Sequence, residues 1–376
     1  MKWFMVPLAI GAVALVLPAC EDDDDDDPGM EEKGGGDSDK KSSKGGDPDA
    51  NAACSMSFTL QEGDYLEVDI ECENEADEQF VWIDRNGNGT KDEGEAFKGF
   101  GPWTALEELP TGQAITIYGR VTTFATRTYK LSAVDVSGNK ELKELALIDA
   151  HLPSLDLSKN EKLEFLKLEN SPEMQSLDLS KNVALKRLLL SFMDMASLSL
   201  GQNAKLEHVE ATNVGNVTSL DFSACSKLKF VRWGRYDNCK NKLASIDVSG
   251  CPELESLTIA SNSLQSLDVS NNHKLLLLSC LGDVNVSTIV GEPTVVYGKL
   301  QALDVSNCPD LSGLDFTGNK VMNLDVSKNP KLYTLDVSYN PLTEIKVTPE
   351  QKAKYDAGQL DWDIKDEDGA DRGLVF

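Results

Sequence analysis

From residue 131 onward, apolar and polar positions repeat every 21 or 22 residues, a period far longer than the two residues of a strand or the 3.6 of a helix. One block of each period reads apolar-Asp-apolar-Ser. It recurs around Asp135, Asp156, Asp178, Asp221, Asp247, Asp268, Asp304, Asp325 and Asp336, with a degenerate copy at Leu198 to Leu200, and the step widens to 26 residues before Asp247 and 36 before Asp304. Between blocks runs a second pattern, as in Leu254-x-x-Leu257-x-Ile259-x-x-Asn262-x-Leu264 and Leu332-x-x-Leu335-x-Val337-x-x-Asn340-x-Leu342. A coil of 21 residues cannot enclose its own leucines, so neighbouring coils must stack and bury them jointly. The prediction is a repeat solenoid over residues 131–345. Its short strands, starting near Leu142, Leu163, Leu185, Leu206, Leu228, Leu254, Leu275, Leu311 and Leu332, line up side by side as a curved parallel β-sheet. Asn139, Asn160, Asn182, Asn203, Asn272 and Asn329 close successive blocks and are expected to bridge backbone groups of adjacent coils, because polar groups at a buried corner need partners. Cys225, Cys251 and Cys308 take the same place and read as small buried thiols. Two insertions interrupt the stack, a swelling at 234–242 and a longer insert at 281–299.

Residues 54–130 change period. Leu66, Val68, Ile70 and Cys72 alternate with Glu67, Asp69 and Glu71, the two-residue rhythm of a half-buried strand, and 80–83 and 114–118 supply further strands. A small β-rich module here would cover the open first coil. The segment 116–119 (Thr-Ile-Tyr-Gly) is echoed at 295–298 (Val-Val-Tyr-Gly), as though each launches a run of coils. Within the module, Asp84, Asn86, Asn88, Asp92 and Glu95 stand at positions 1, 3, 5, 9 and 12 of a loop with Gly89 at position 6, and Thr90 offers its carbonyl at position 7. That is the spacing of a calcium loop, and calcium is the cofactor it points to. The strand-like residues before it put such a loop on a β scaffold; the alternative is a tight Asn-Gly hairpin turn. Cys54 and Cys72 are a candidate disulfide pair. At 346–376, Thr348-Pro349-Glu350-Gln351 predicts a capped helix, and Leu360, Trp362 and Ile364 after it would close the last coil as a C-terminal cap.

With these repeats in view, residues 134–345 resemble the short leucine-rich repeats of internalin-type bacterial surface proteins, in particular lipoproteins with Leu-Asp-Val-Ser-x-Asn repeats. The resemblance implies an adhesin or binding scaffold. It names no ligand, since a repeat fold hosts many.

The chain opens with Lys2, an apolar stretch to Val16 and Leu17-Pro18-Ala19-Cys20. Residues 1–19 read as a signal peptide, too short in its apolar core to serve as a membrane-spanning helix. Leu-Pro-Ala-Cys resembles the bacterial lipobox, which implies that Cys20 is lipidated. Residues 20–53 carry thirteen Asp or Glu, four Lys and no aromatic residue, and read as a disordered acidic tether. The acidic run from Glu21 to Asp27 resembles export signals that send lipoproteins of some Gram-negative lineages to the outer face, and its alternative is a plain solvated charge run. Expected placement is therefore the outer membrane, held by lipid alone and facing the exterior.

Most of the net charge of −27 belongs to the folded part, which disfavours nucleic acid and anionic lipid as partners. His151, His208 and His273 fall in different coils without a second His at metal-ligand spacing, and there is no nucleophile elbow, phosphate loop or dinucleotide fingerprint. A repeated Asp and Ser pair is architecture, so no enzyme is expected. Outward strand positions instead gather Phe165, Lys167, Glu169, Arg187, Leu189, His208, Glu210, Phe230, Arg232, Leu277 and Ser279, with Arg235 and Tyr236 in the neighbouring bulge. Aromatic and basic residues of this kind suit interface anchors. A protein partner is the leading expectation, a surface glycan the alternative, and a structural envelope spacer the third.

Overall fold

The computed structural model describes residues 53–61, 66–127, 131–234, 242–260, 263–282, 298–364 and 373–375. The signal peptide, Cys20, the tether, the bulge residues Arg235 and Tyr236, the bulk of the 281–299 insert and the echo at 295–297 lie outside them.

A single sheet of thirteen strands runs the length of the described chain. It opens with three antiparallel strands of the N-terminal module, Gly101–Leu106, Leu66–Cys72 and Val121–Arg127. Val121–Arg127 then pairs in parallel with Glu144–Ile148, and from there every step is parallel, through Phe165–Glu169, Arg187–Met193, His208–Val214, Phe230–Trp233, Ser256–Ile259, Leu277–Ser279, Gly313–Asp315 and Thr334–Asp336 to Asp361–Asp363. The nine predicted strands are all present, each starting two residues after the leucine that announces it. The register places Leu145, Leu166, Leu188, Val209, Val231, Leu257, Leu278, Leu314, Leu335 and Trp362 in one inward row, all buried. Across the longer insert the pairing of Leu277–Ser279 with Gly313–Asp315 is kept. The insert's two stems are tied to one place, with the Gly282 amide donating to the Thr317 carbonyl at 2.9 Å and the Gly298 amide to the Gly318 carbonyl at 2.7 Å.

The Asp-apolar-Ser blocks form the other run of each coil, pairing as short parallel strands such as Ser176–Asp178 with Ser197–Ser199 and Ser219–Asp221 with Ser245–Asp247. Their Asp is a turn device. At Asp135, Asp156, Asp178, Asp221, Asp247, Asp268, Asp304 and Asp325 the carboxylate accepts the amide of the Ser two residues on, at 2.9 Å in each case. The block at Asp336 corrects the sequence grouping: it makes the same turn, but it follows a strand of the long sheet, in register with Asp315. Its spacing of eleven residues from Asp325 marks half a coil, not a whole one.

Between the two runs the predicted asparagines form a buried ladder. Asn160 donates to the carbonyls of Val136 and Asn139, Asn182 to Leu157 and Asn160, Asn203 to Leu179 and Asn182, and Asn329 to Val305 and Cys308, all within 2.8 to 3.1 Å. Cys225, Cys251 and Cys308 occupy the same rung position as buried free thiols, and burial pushes the Cys251 thiol up to about 12. The last rung belongs to Gln351, whose carboxamide donates to Val326 at 2.9 Å and Asn329 at 3.1 Å. Gln351 is also the third residue of the predicted helix, Pro349–Asp356, where its side-chain oxygen accepts the Thr348 amide in a capping box.

The module's second sheet, Trp82–Asp84, Ala114–Tyr118, Ser55–Leu60 and Leu131–Asp135, is antiparallel and takes in the first Asp-apolar-Ser strand of the coils. Both module sheets therefore continue into the coils, and one hydrophobic core runs from Met56 to Ile364. The chain is a leucine-rich-repeat solenoid with a β-rich module built onto its first coil.

Candidate binding surface

Parallel register converts residues about 21 apart in sequence into neighbours about 4.8 Å apart. On the outward face of the long sheet one row reads Glu144, Phe165, Arg187, His208, Phe230, Ser256, Leu277, Gly313, Thr334, Asp361. Two residues further along each strand a second row reads Ala146, Lys167, Leu189, Glu210, Arg232, Thr258, Ser279, Asp315, Asp336, Asp363. Of the residues singled out from sequence, Phe165, Lys167, Glu169, Arg187, Leu189, His208, Glu210, Phe230 and Arg232 thus lie together on four consecutive strands. The Arg187 guanidinium sits 5.5 Å over the Phe165 ring, and the His208 and Phe230 rings stack at 4.4 Å and 11°. Arg232 lies 5.8 Å from the Phe230 ring and donates to Glu210 at 2.9 Å, while the His208 ring approaches the other oxygen of Glu210 at 3.6 Å. Hydrogen bonding from His208, with the nearby Arg232 charge, holds the Glu210 carboxyl below the ordinary glutamate range. Lys167 is tied to Glu169 at 3.4 Å.

Leu277 stands two strands from Phe230, half-exposed, and leans over Gly313, where a Cβ would come within 2.8 Å of its methyl group. Ser279, expected outside, is buried. The two ends of the face are acidic. Asp69, Glu71 and Glu144 stand at the module end, and Asp315, Asp336, Asp361 and Asp363 at the other. Burial, and then the neighbouring Asp336, push Asp315 up to about 6.

Phe192 escapes the sequence-based selection. It is the last residue but one of the strand Arg187–Met193, with φ 53°, and is 47% exposed. The same corner of three other coils is filled by Asp149, Asn170 and Asn213 at φ 55°, 54° and 56°, residue types that tolerate the left-handed region. Nothing in the local sequence marks this corner as a turn.

The loop after Asp84 is longer than a two-residue Asn-Gly hairpin: Trp82 bridges Ala96, and the intervening residues are gathered by the acidic and amide side chains. Asp84 is buried and accepts the amides of Gly87 at 2.6 Å and Gly89 at 2.8 Å. Glu95 accepts the amides of Arg85 and Asp92, and Asn86 and Asn88 both donate to Asp92 at 2.8 and 2.7 Å. Thr90 donates its amide and hydroxyl to Asn88. Among the described residues no three His, Cys, Asp or Glu side chains are gathered as a metal site. The carboxylates at positions 1 and 12 are buried and aimed at the loop interior. The Asn86 and Asn88 side-chain oxygens accept the amides of Asn88 and Thr90, while their nitrogens face Asp92. The donor set, oxygen throughout, fits a hard cation.

Cys54 and Cys72, the candidate disulfide pair, stand as free thiols. The Cys54 carbonyl accepts the Gly119 amide and Cys72 pairs with Val121, so both cysteines border the bend around Arg120. The three histidines remain in separate coils, as expected.

No family model matches the chain, and no curated protein does. Solved structures similar to it include the functional domain of internalin J from Listeria monocytogenes, at 21% identity over 60% of this chain and 58% of that one, with a TM-score of 0.34. Internalin F of the same organism matches at 16% identity over 65% of this chain and 86% of its own, TM-score 0.32. A leucine-rich-repeat protein of Leptospira interrogans matches at 15% over 61% and 85%, TM-score 0.29. The chain spans a little over half of the internalin J domain.

Proposed function

We propose that this chain is a surface-displayed lipoprotein, non-catalytic, whose solenoid captures a protein partner on the outward face of the long sheet, as an adhesin or assembly scaffold. The supporting observation is the cluster Phe165, Arg187, His208, Phe230 and Arg232, joined across four strands by ring stacking and guanidinium–ring contacts. Rings and guanidinium groups held rigid by one another bind without the ordering cost of free side chains. Replacing Phe230 and Arg232 together by Ala removes the cluster's centre. Capture of host or bacterial surface proteins by the full chain should then fall about ten-fold or more, with the thermal melt changed little, as both side chains lie on the outward face. Equal capture by variant and parent would remove the patch from consideration.

In this reading Cys20 carries the lipid, and residues 20–53 hold the solenoid away from an outer membrane. Incorporation of labelled fatty acid that survives Cys20→Ala would overturn it. Calcium in the loop from Asp84 to Glu95 would brace the module that covers the first coil. A chelator should lower the melting temperature, and Asp84→Ala should erase that difference; a melt indifferent to chelator would remove the ion.

A further inference from the structure

Three positions before each residue of the first outward row, the coils carry Glu141, Lys162, Ala184, Lys205, Lys227, Glu253, Lys274, Asp310 and Lys331. On both flanks this leading-edge row alternates acid with base. Lys162 meets Glu141 at 2.6 Å, Lys274 meets Glu253, and Lys331 meets Asp310 at 2.6 Å, each reaching back one coil. In the middle the alternation stops. Lys205 follows Ala184, Lys227 follows Lys205, and both are exposed, with no ion pair or hydrogen bond among the described residues. Two residues after Lys227, Lys229 is also exposed, its ammonium without an ion pair or hydrogen bond among the described residues, and Arg187 is exposed in the adjoining row. Of the neighbouring acids, Glu207 and Glu255 flank Lys229 through backbone hydrogen bonds without an ion pair to it, Glu253, one coil beyond Lys227, is taken by Lys274, and Glu210 is engaged by Arg232 and His208.

This arrangement opposes both the chain and its own repeat. With 63 acidic residues against 36 basic ones, acids stand in the same row on either side. Lysines stacked on lysine at about 4.8 Å spacing repel each other. The unbalanced coils are the ones that carry the His208–Phe230 stack. Resting on the protein-binding reading above, we infer that this edge takes a carboxylate-rich segment of the partner, its acids beside Lys205, Lys227 and Lys229 and an apolar side chain against Phe230. A polyphosphate chain such as nucleic acid fits less well, because a net charge of −27 repels a long polyanion, while a short acidic segment meets only the local cations.

The test titrates the full chain in detergent with fluorescein-labelled decapeptides, one rich in Glu with a single Phe and one with Lys in place of Glu, and with a heparin-derived oligosaccharide. The acidic peptide should bind and weaken as salt rises from about 50 to 300 mM. Lys205→Glu combined with Lys227→Glu should weaken it about ten-fold or more, with the melting temperature held. Lys331→Glu, outside the patch, should leave binding unchanged. Acidic and basic peptides binding alike, a double variant binding as the parent does, or binding of the oligosaccharide alone would each overturn the inference. Should any of these occur while the Phe230 and Arg232 double variant still loses capture, the protein-binding reading stands and only the acidic partner falls; if capture is also unaffected, both fall.

Discussion

Single residues in this protein are best judged against their counterparts one coil away. Phe192 holds a left-handed backbone at φ 53° where Asn170 and Asn213 do so at little cost. Phe192→Asn should therefore raise stability by about 1 kcal/mol, seen as a melting temperature roughly 2 to 4 °C higher, since a half-exposed ring loses little burial on removal. An unchanged or lower melt would show that the ring packs. The aspartates divide by sign in the same way. Asp156, Asp178 and Asp221 are held below the ordinary range by the Ser two residues on, so their contribution is present at neutral pH and lost as pH falls through the folded value. Asp315 runs the other way. With its carboxyl pushed up to about 6, its proton is held more tightly folded than unfolded, so stability declines as pH rises from about 4 to 6. Asp315→Asn should flatten that decline and raise stability at pH 7 by about 2 kcal/mol, read from urea denaturation against pH. The Asp-apolar-Ser motif was visible in sequence; which of its copies sits beside another acid was not, because that depends on register.

At the scale of elements, the strands announced by leucines appear where expected, and so does the C-terminal helix, whose capping signature is local. What the signature does not reveal is that Gln351 also ends the asparagine ladder. A glutamine 22 residues beyond Asn329 is one coil on, but only the docked helix aims its carboxamide at Val326 and Asn329. Gln351→Ala takes one of two donors from each of those carbonyls, which keep the Asn329 and Leu332 amides, and it opens the helix cap, at about 1 to 2 kcal/mol. Hydrogen exchange should quicken in residues 326–356 and stay unchanged in the coils before residue 300. A uniform rise along the chain would instead mean that the coils open as one unit. Gly250 makes a related point about spacing. A Cβ there would fall 1.7 Å from the Ser223 carbonyl, although other coils carry Lys or Asn at that place.

For the whole molecule, the sequence by itself determined the coil period, the leucine rows, the asparagine rungs, the acidic balance and the change to a two-residue rhythm before residue 130. These are local or strictly periodic, and burying apolar side chains in stacked coils leaves one solution. Only the tertiary structure decided that the module and the coils share one sheet through Val121–Arg127. It alone revealed that Lys205 and Lys227 carry no ion pair among the described residues where Lys162, Lys274 and Lys331 of the same row do. The physical reason is register: parallel pairing sets side by side residues that are 21 to 36 positions apart, so the charge and shape of the outward face are properties of the stack and of no single coil.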